Sequence, residues 1–250
     1  MIKMEKIMLN FTPIMGRLEH PDARDTLFSV SAVLPAADPF ITEKYWWDDA
    51  WWGNQGATEE CTAYSWMHWI ENGPVFQDDI PGRTKPFYQP IDFYNQCQQR
   101  DPWAGTPHNG SSVRTAVRLL KILGVIKEYR WATNVEDVAQ TLINLGPMIV
   151  GTSWFSNMFT PDANGLIKPT GSNAGGHAYL LNGVDLKKRL FRIKNSWGQE
   201  WGVNGHAFIG FDDFQFLLNN GGESCIAFEN KLAAIPSFDV LPPPGRSNDG

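Results

Sequence analysis

Four side chains in this 250-residue sequence have the types and the placing of a nucleophilic site: Gln55, Cys61, His177 and Asn195. Cys61 stands where an amphipathic pattern begins. A thiol at a helix N-terminus meets the positive end of the macrodipole and unpaired amide groups, and both favour thiolate over thiol. Gln55, in Asn54-Gln55-Gly56, lies six positions upstream, near enough for its side-chain amide to turn back toward the sulfur. Together with the Cys61 backbone N–H it could donate to an oxyanion. His177, in Gly175-Gly176-His177-Ala178, stands at the mouth of one β-rich run, and Asn195, in Lys194-Asn195-Ser196-Trp197-Gly198, at the end of the next. An asparagine in that place can hold an imidazole in the tautomer and orientation that pair it with a thiolate. The chemistry is covalent: sulfur attacks an acyl carbon, His177 moves the proton, and water releases the acyl group.

Elements of two kinds must position these groups. From Cys61 to Ile70 apolar residues fall at 63, 66, 67 and 70, a helical stripe that Asn72-Gly73-Pro74 ends. A second stripe runs from about Ser112 to Leu123 with Gly124 as its stop, and a third from about Val135 to Leu145 before Gly146-Pro147. Beyond that point the runs 148–152, 178–184, 190–194 and 206–210 are short, β-rich and bounded by turn residues. Helices first and strands second predict an α+β chain of two lobes. Residues 1–36, with Pro13, Pro21 and Pro35, read as an extended arm that wraps the rest, and the Pro-rich stretch 233–250 as a flexible tail. No internal repeat is present.

Composition removes several classes of function. With 21 basic and 27 acidic residues the net charge is −6, so no positive field gathers phosphate and nucleic acid is not expected as a partner. Hydrophobic residues at 42% and charged residues at 19% give a globular balance. No window approaches the roughly 18 apolar residues of a membrane span. Met1 to Phe11 carries Lys3 and Lys6 without an apolar run of signal length. A cytoplasmic or virion-associated protein is expected, with assembly into a larger particle an open option. Three cysteines cannot pair off within one chain, which favours a reducing compartment. No Cys/His pair has ligand spacing, so neither metal nor cofactor is expected. His20, His68, His108 and His206 lack a catalytic setting, and Trp46, Trp47, Trp51 and Trp52 either pack the loop that leads to Gln55 or form a contact surface.

The set Gln55-Gly56, Cys61, His177 and the run from Lys194 to Gly205 resembles the papain family of cysteine peptidases, in the family's order of Gln, Cys, His and Asn. The resemblance implies a papain-like domain over about 37–232: a helical left lobe (about 55–145), an antiparallel β-barrel-like right lobe (about 146–232) and a cleft between them. Carried over residue by residue, it implies Cys61 as nucleophile, His177 as general acid/base, Asn195 as its orienter, Gln55 as oxyanion donor and Trp197 as a cover over the Asn195–His177 bond. Gly110 matches a glycine-containing segment that pairs with substrate backbone. Glu59, just ahead of the nucleophile where small residues are usual, suggests a preference for Lys or Arg beside the cleaved bond. Alternatively Glu59 and Glu60 only complement the helix dipole, and either way they oppose a thiolate. Thr58 and Gly171 stand where members from oxidising compartments have cysteines, leaving Cys97 and Cys225 as single packing thiols. About 36 residues precede the matching region, short of the usual self-inhibiting domain and similar to the short leaders of bacterial and phage members. The reading is a cysteine endopeptidase acting on peptide or protein substrates. Its rivals are an amidase or transpeptidase of cell-wall peptides and a catalytically idle component of a particle.

Overall fold

The structure is a computed structural model that describes residues 12–48, 51–75 and 80–242. Five helices and eight strands are built from them: β1 (Glu43–Tyr45), α1 (Cys61–Ile70), α2 (Pro90–Gln98), α3 (Val113–Ile122), β2 (Ile126–Ala132), α4 (Val135–Asn144), β3 (Met148–Phe155), β4 (Leu166–Ile167), β5 (Asn173–Asp185), β6 (Leu190–Lys194), β7 (His206–Gly210), α5 (Phe211–Asn219) and β8 (Glu223–Glu229). Local chemistry fixes several starts. Pro90 opens α2, where its missing N–H costs nothing. Ser112 caps α3 by accepting from the Thr115 N–H at 3.1 Å, and Asn134 caps α4 by accepting from Asp137 at 2.8 Å.

One sheet runs in the order β2-β8-β3-β5-β6-β7-β4, with β1 added alongside β5. All its pairings are antiparallel except β4 with β7. It is open, not the barrel-like lobe expected, because β2 and β4 lie at opposite edges. Closure is unnecessary, since alternate residues bury both faces. Ile149, Ala178, Leu180, Cys225 and Ala227 join a core with α1, α2 and α3. Their neighbours Met148, Val150, Tyr179, Leu181 and Ile226 join a second core with α4 and α5.

Helix α1 departs from its one-sided pattern: every residue but Tyr64 is buried. It lies between β5 on one side and α2 and α3 on the other, so it has no solvent face. Strand β2, inside the region read as helical lobe, pairs with β8 along Ile126 to Ala132 and so extends the sheet. The tail is not free where it is described. Leu232, Ile235, Phe238 and Leu241 pack against the α1 core, and the Tyr88 hydroxyl donates to the Pro236 carbonyl at 2.8 Å. Apolar residues spaced by three between prolines supply that contact, which a composition reading takes as linker; residues 243–250 lie outside the described residues. Among the described residues no helix is long and apolar enough to cross a membrane.

Candidate active site

Cys61 is the first residue of α1 and is fully buried. His177 lies on β5 opposite Thr152 of β3, and Ala178, next to it, is opposite Gly151. The β5–β6 register sets Leu180 against Lys194, so Asn195 follows directly beyond the end of β6 level with Tyr179, two residues along the strand from His177 and within diagonal reach of it. His177 Nε2 bonds Asn195 Oδ1 at 2.8 Å. The same oxygen accepts the Ser196 N–H at 2.8 Å, which fixes the asparagine with its oxygen toward the ring. Nε2 therefore carries the proton, and Nδ1 keeps a lone pair with no hydrogen-bond partner among the described residues. Trp197 stacks on the imidazole at 4.8 Å and Trp154 meets it edge-on at 4.9 Å, both fully shielded from water.

The loop before α1 is tied to the asparagine block. Gln55 N–H donates to Ser196 O at 2.9 Å, Gly198 N–H to Gly53 O at 3.1 Å, and the Ser196 hydroxyl to Gln55 Oε1 at 2.5 Å. Gln55 Nε2 then points its two hydrogens at Thr58 O (2.7 Å) and Ile14 O (3.4 Å). Glu59 accepts from Asn109 Nδ2 at 3.3 Å on the opposite rim, and Gly110 N–H donates to the Tyr94 hydroxyl at 2.8 Å. Both acidic residues ahead of Cys61 are partly exposed; burial nonetheless pushes the Glu60 carboxyl up, with the Thr58 hydroxyl drawing it back.

A further segment fills the cleft. Residues 14–18 of the amino-terminal arm run between the two walls. Ser111 N–H donates to Gly16 O (2.8 Å), Leu18 N–H to Ser111 O (2.9 Å), and Arg17 N–H to Gly176 O (2.9 Å). The Gly16 and Ala178 backbone amides lie on the Cys61 side of the cleft and draw its thiol down. The approach is so close that a Cβ on Gly16 would sit 2.0 Å from Glu59 O, one on Gly110 2.3 Å from Gly16 O and one on Gly176 2.2 Å from Arg17 O. These glycines are where two backbones pass with no room for a side chain.

Covering the cleft sets its electrostatics. Burial pushes the Cys61 thiol above its ordinary range, against the thiolate expected at a helix start; the Ala178 and Gly16 amides offset only part of this. Burial likewise pulls His177 down to about 4, with the Asn195 bond acting in the opposite direction. The arrangement is a neutral thiol and a neutral imidazole under a strand of the chain's own arm.

The remaining residues singled out in the sequence have structural surroundings. Cys97 and Cys225 are buried free thiols, pushed up chiefly by burial. His68 is buried on α1 against Trp51 and shares a hydrogen bond with Trp52 O at 3.1 Å. His206 lies 3.0 Å from Asp48. Trp46 donates to Leu142 O at 2.7 Å, Trp51 stacks on Tyr64 at 5.9 Å, and Trp52 meets His206 edge-on at 5.0 Å, while Trp47 stays 46% exposed. Three of the four thus pack the loop that leads to Gln55. Among the described residues no three His, Cys, Asp or Glu side chains gather as a metal-binding group. Sequence reasoning missed Gly16, Arg17 and Glu223; the glycines at 110, 175 and 176 were the available signal of a close backbone neighbour.

Residues 52–215 match the model of the papain family cysteine proteases, and the chain belongs to that family. It is 25% identical over 151 residues to an uncharacterized peptidase C1-like protein of Acanthamoeba polyphaga mimivirus, covering 58% of this chain and 40% of that one. It is 29% identical over 87 residues to human cathepsin O, covering 32% and 26%. The alignments therefore span well under half the length of these relatives. Among solved structures, xylellain, a cysteine protease from Xylella fastidiosa, superposes with a TM-score of 0.66 at 19% identity over 90% of this chain and 99% of that one. A procathepsin B from Trypanosoma congolense gives 0.59 at 13% identity over 87% of both. These likenesses show the papain-like α+β fold.

Proposed function

We propose that the chain is a cysteine endopeptidase that cleaves peptide bonds through a Cys61 thioester. The observation that carries the reading is the His177–Asn195 bond, which leaves Nδ1 as the one basic nitrogen free to serve a sulfur held one residue away along β5, at Ala178. When the arm leaves, water and the helix end lower the thiol and raise the imidazole, so the proton passes from Cys61 to His177. The thiolate attacks the carbonyl carbon. The developing oxyanion takes the Cys61 N–H and the Gln55 amide, which Gln55 now spends on Ile14 O. The imidazolium gives its proton to the leaving amine, and a water activated by His177 cleaves the thioester to acid and free thiol. Asn195 holds the ring and Trp197 shields the bond between them.

Endo-cleavage is favoured because residues 14–18 pass through the cleft with chain continuing on both sides, so neither end is walled off. Glu59 is read as a rim carboxylate that attracts a basic side chain, and Gly110 as part of the wall that pairs with substrate backbone. The test is hydrolysis of a quenched-fluorescence protein substrate by the full chain, compared with Cys61→Ala and with purified peptidoglycan as substrate. Protein cleavage lost in Cys61→Ala supports the reading; release of cell-wall peptides alone would replace it with the amidase.

A further inference from the structure

A cavity of about 200 Å³ opens away from the cleft, at the far end of α1. Trp69, in its wall, is eight residues along the helix from Cys61, about 12 Å at the rise of an α-helix. Two proline turns and a sheet edge enclose the space. Pro74 follows the end of α1 and Pro147 the end of α4, and the turns touch: a Cβ on Gly146 would stand 2.8 Å from Pro74 Cδ. Rings that fix their own backbone do not fold inward to fill it. Trp69 and Phe228 extend the apolar wall. Its charged groups come from β2 and β8. Ile126 pairs with Glu229 and Glu128 with Phe228, so Lys127 between them has no partner across the ladder. A bulge of this kind re-aims the side chain it carries, and Lys127 lines the cavity together with Glu229. The end of β8 is pinned just beyond, where Asn230 Nδ2 donates to Gly124 O at 2.7 Å and Asn230 N–H to Val125 O at 2.9 Å.

We propose that this cavity binds a free α-amino acid with a large apolar side chain, its carboxylate on Lys127 and its ammonium on Glu229. A volume of about 200 Å³ is below the range of sites that take drug-sized ligands and suits a single amino acid. The wall supplies one region of each kind: apolar rings at the two turns, and a cation beside an anion at the sheet edge. Charges of both signs on neighbouring strands match a ligand that carries both signs on neighbouring atoms. A peptide holds its ammonium and carboxylate at least one residue further apart, and an uncharged apolar molecule leaves both side chains to water. The two charged contacts also set orientation, directing the ligand's side chain toward the prolines. The site shares no residue with the Cys61 cleft, and its occupancy does not depend on the peptidase reading.

The experiment titrates the full chain, isotope-labelled at its tryptophan indole nitrogens, with phenylalanine as the probe and nuclear magnetic resonance as the readout. The Trp69 indole signal is assigned by its loss in Trp69→Phe. Phenylalanine should shift that signal with a Kd on the order of 1 mM, as expected for a ligand of its size. Glycine keeps both charges without the ring and should bind at least about ten-fold more weakly. Phenylpropionate lacks the ammonium and phenethylamine the carboxylate, and each should also bind about ten-fold more weakly than phenylalanine. Two variants assign the charges. Lys127→Met should weaken phenylalanine and phenylpropionate about ten-fold and leave phenethylamine unchanged; Glu229→Gln should weaken phenylalanine and phenethylamine and leave phenylpropionate unchanged. A Trp69 signal unmoved at about 20 mM phenylalanine, roughly twenty times the expected Kd, overturns the proposal. So does glycine binding as tightly as phenylalanine, or phenylalanine binding that both variants leave intact. If Glu229→Gln does not fold, Lys127→Met, at an exposed position of an edge strand, and the ligand series on the wild type decide alone.

Discussion

Closure of the arm over Cys61 and His177 should respond to acid differently in the wild-type chain and in Cys61→Ser, and the difference measures whether the open enzyme holds a thiolate–imidazolium pair. His177 sits at about 4 beneath the arm because burial penalises its charged form. Uncovered, without an acidic partner, it returns to about 6.5. A histidine depressed in the closed state supports closure fully above its open value and loses that support as pH falls toward the closed one. Between pH 7 and pH 5 the loss is about 2 kcal/mol, roughly twenty-fold in the closed-to-open ratio. In Cys61→Ser, where the hydroxyl stays protonated, the whole factor should appear.

In the wild type the accounting changes. If opening transfers the Cys61 proton to His177, the pair holds one proton before and after, and no proton is taken from solvent between about pH 5 and 7. The imidazole's share of the pH dependence then vanishes. Glu223 also titrates against the arm: burial pushes its carboxyl up and Arg17 draws it back. That contribution is common to both chains and drops out of their ratio. The assay is amide hydrogen exchange at Arg17, Leu18 and Ser111, whose N–H groups cross between arm and cleft, corrected for intrinsic exchange at each pH. Protection in Cys61→Ser should fall about twenty-fold more than in wild type. Flat protection in Cys61→Ser would refute the claim that the arm holds His177 neutral; equal slopes in both chains would refute the ion pair.

Three substitutions test the catalytic assignments and the core beneath them. Asn195→Ala should lower kcat/KM by about 10²-fold with a shifted pH profile, since the imidazole loses the partner that fixes its tautomer. Gln55→Ala should lower kcat by about 10²-fold with little change in KM, as an oxyanion donor is used only in the transition state; chemical denaturation should show a loss of about 1 kcal/mol from the broken Ser196 bond. Trp154→Ala, which removes the fully buried ring that meets both His177 and Trp197 edge-on, should cost about 3–5 kcal/mol in the same denaturation assay.

The residues proposed as catalytic could be singled out because chemistry restricts residue type and two of them sit at the ends of elements, where sequence punctuation is strongest, whereas His177 lies inside β5 and not at its mouth. Cys61 opens α1, Asn195 follows β6, and Gln55 precedes a glycine. Helices α3 and α4 announced themselves through caps and apolar stripes. Their counterparts α2 and α5 did not: Asp92, Asn95 and Gln98 break the stripe of one, and Asp212 and Asp213 open the other. The edge strand β2 interleaves Lys127, Glu128 and Arg130 with apolar residues, because only part of it is covered. Least legible was the path of the arm. Residues 14–18 have no periodicity, and the contact that anchors them joins positions 206 apart in the chain. Extended segments take their register from the surface that receives them, so the information lay in the receiving glycines at 110, 151 and 176.

Those glycines also predict a behaviour in which two reagents disagree. Gly176 supplies the carbonyl that receives Arg17 N–H, yet it is not in the left-handed region, so alanine is permitted by its own backbone. The added methyl would stand 2.2 Å from Arg17 O, which no side-chain rotation relieves because both groups are backbone. Gly176→Ala should therefore expel the arm and equally refuse any extended peptide that pairs along the same wall. Iodoacetamide needs no such pairing and should alkylate Cys61 faster than in the wild type, while hydrolysis of peptide substrates should fall. The contrast separates a wall that reads backbone from a general loosening of the cleft, since loosening would raise both rates. If alkylation stays slow while the chain remains folded, the arm is held by something other than this wall, and the Arg17–Glu223 ion pair becomes the principal latch.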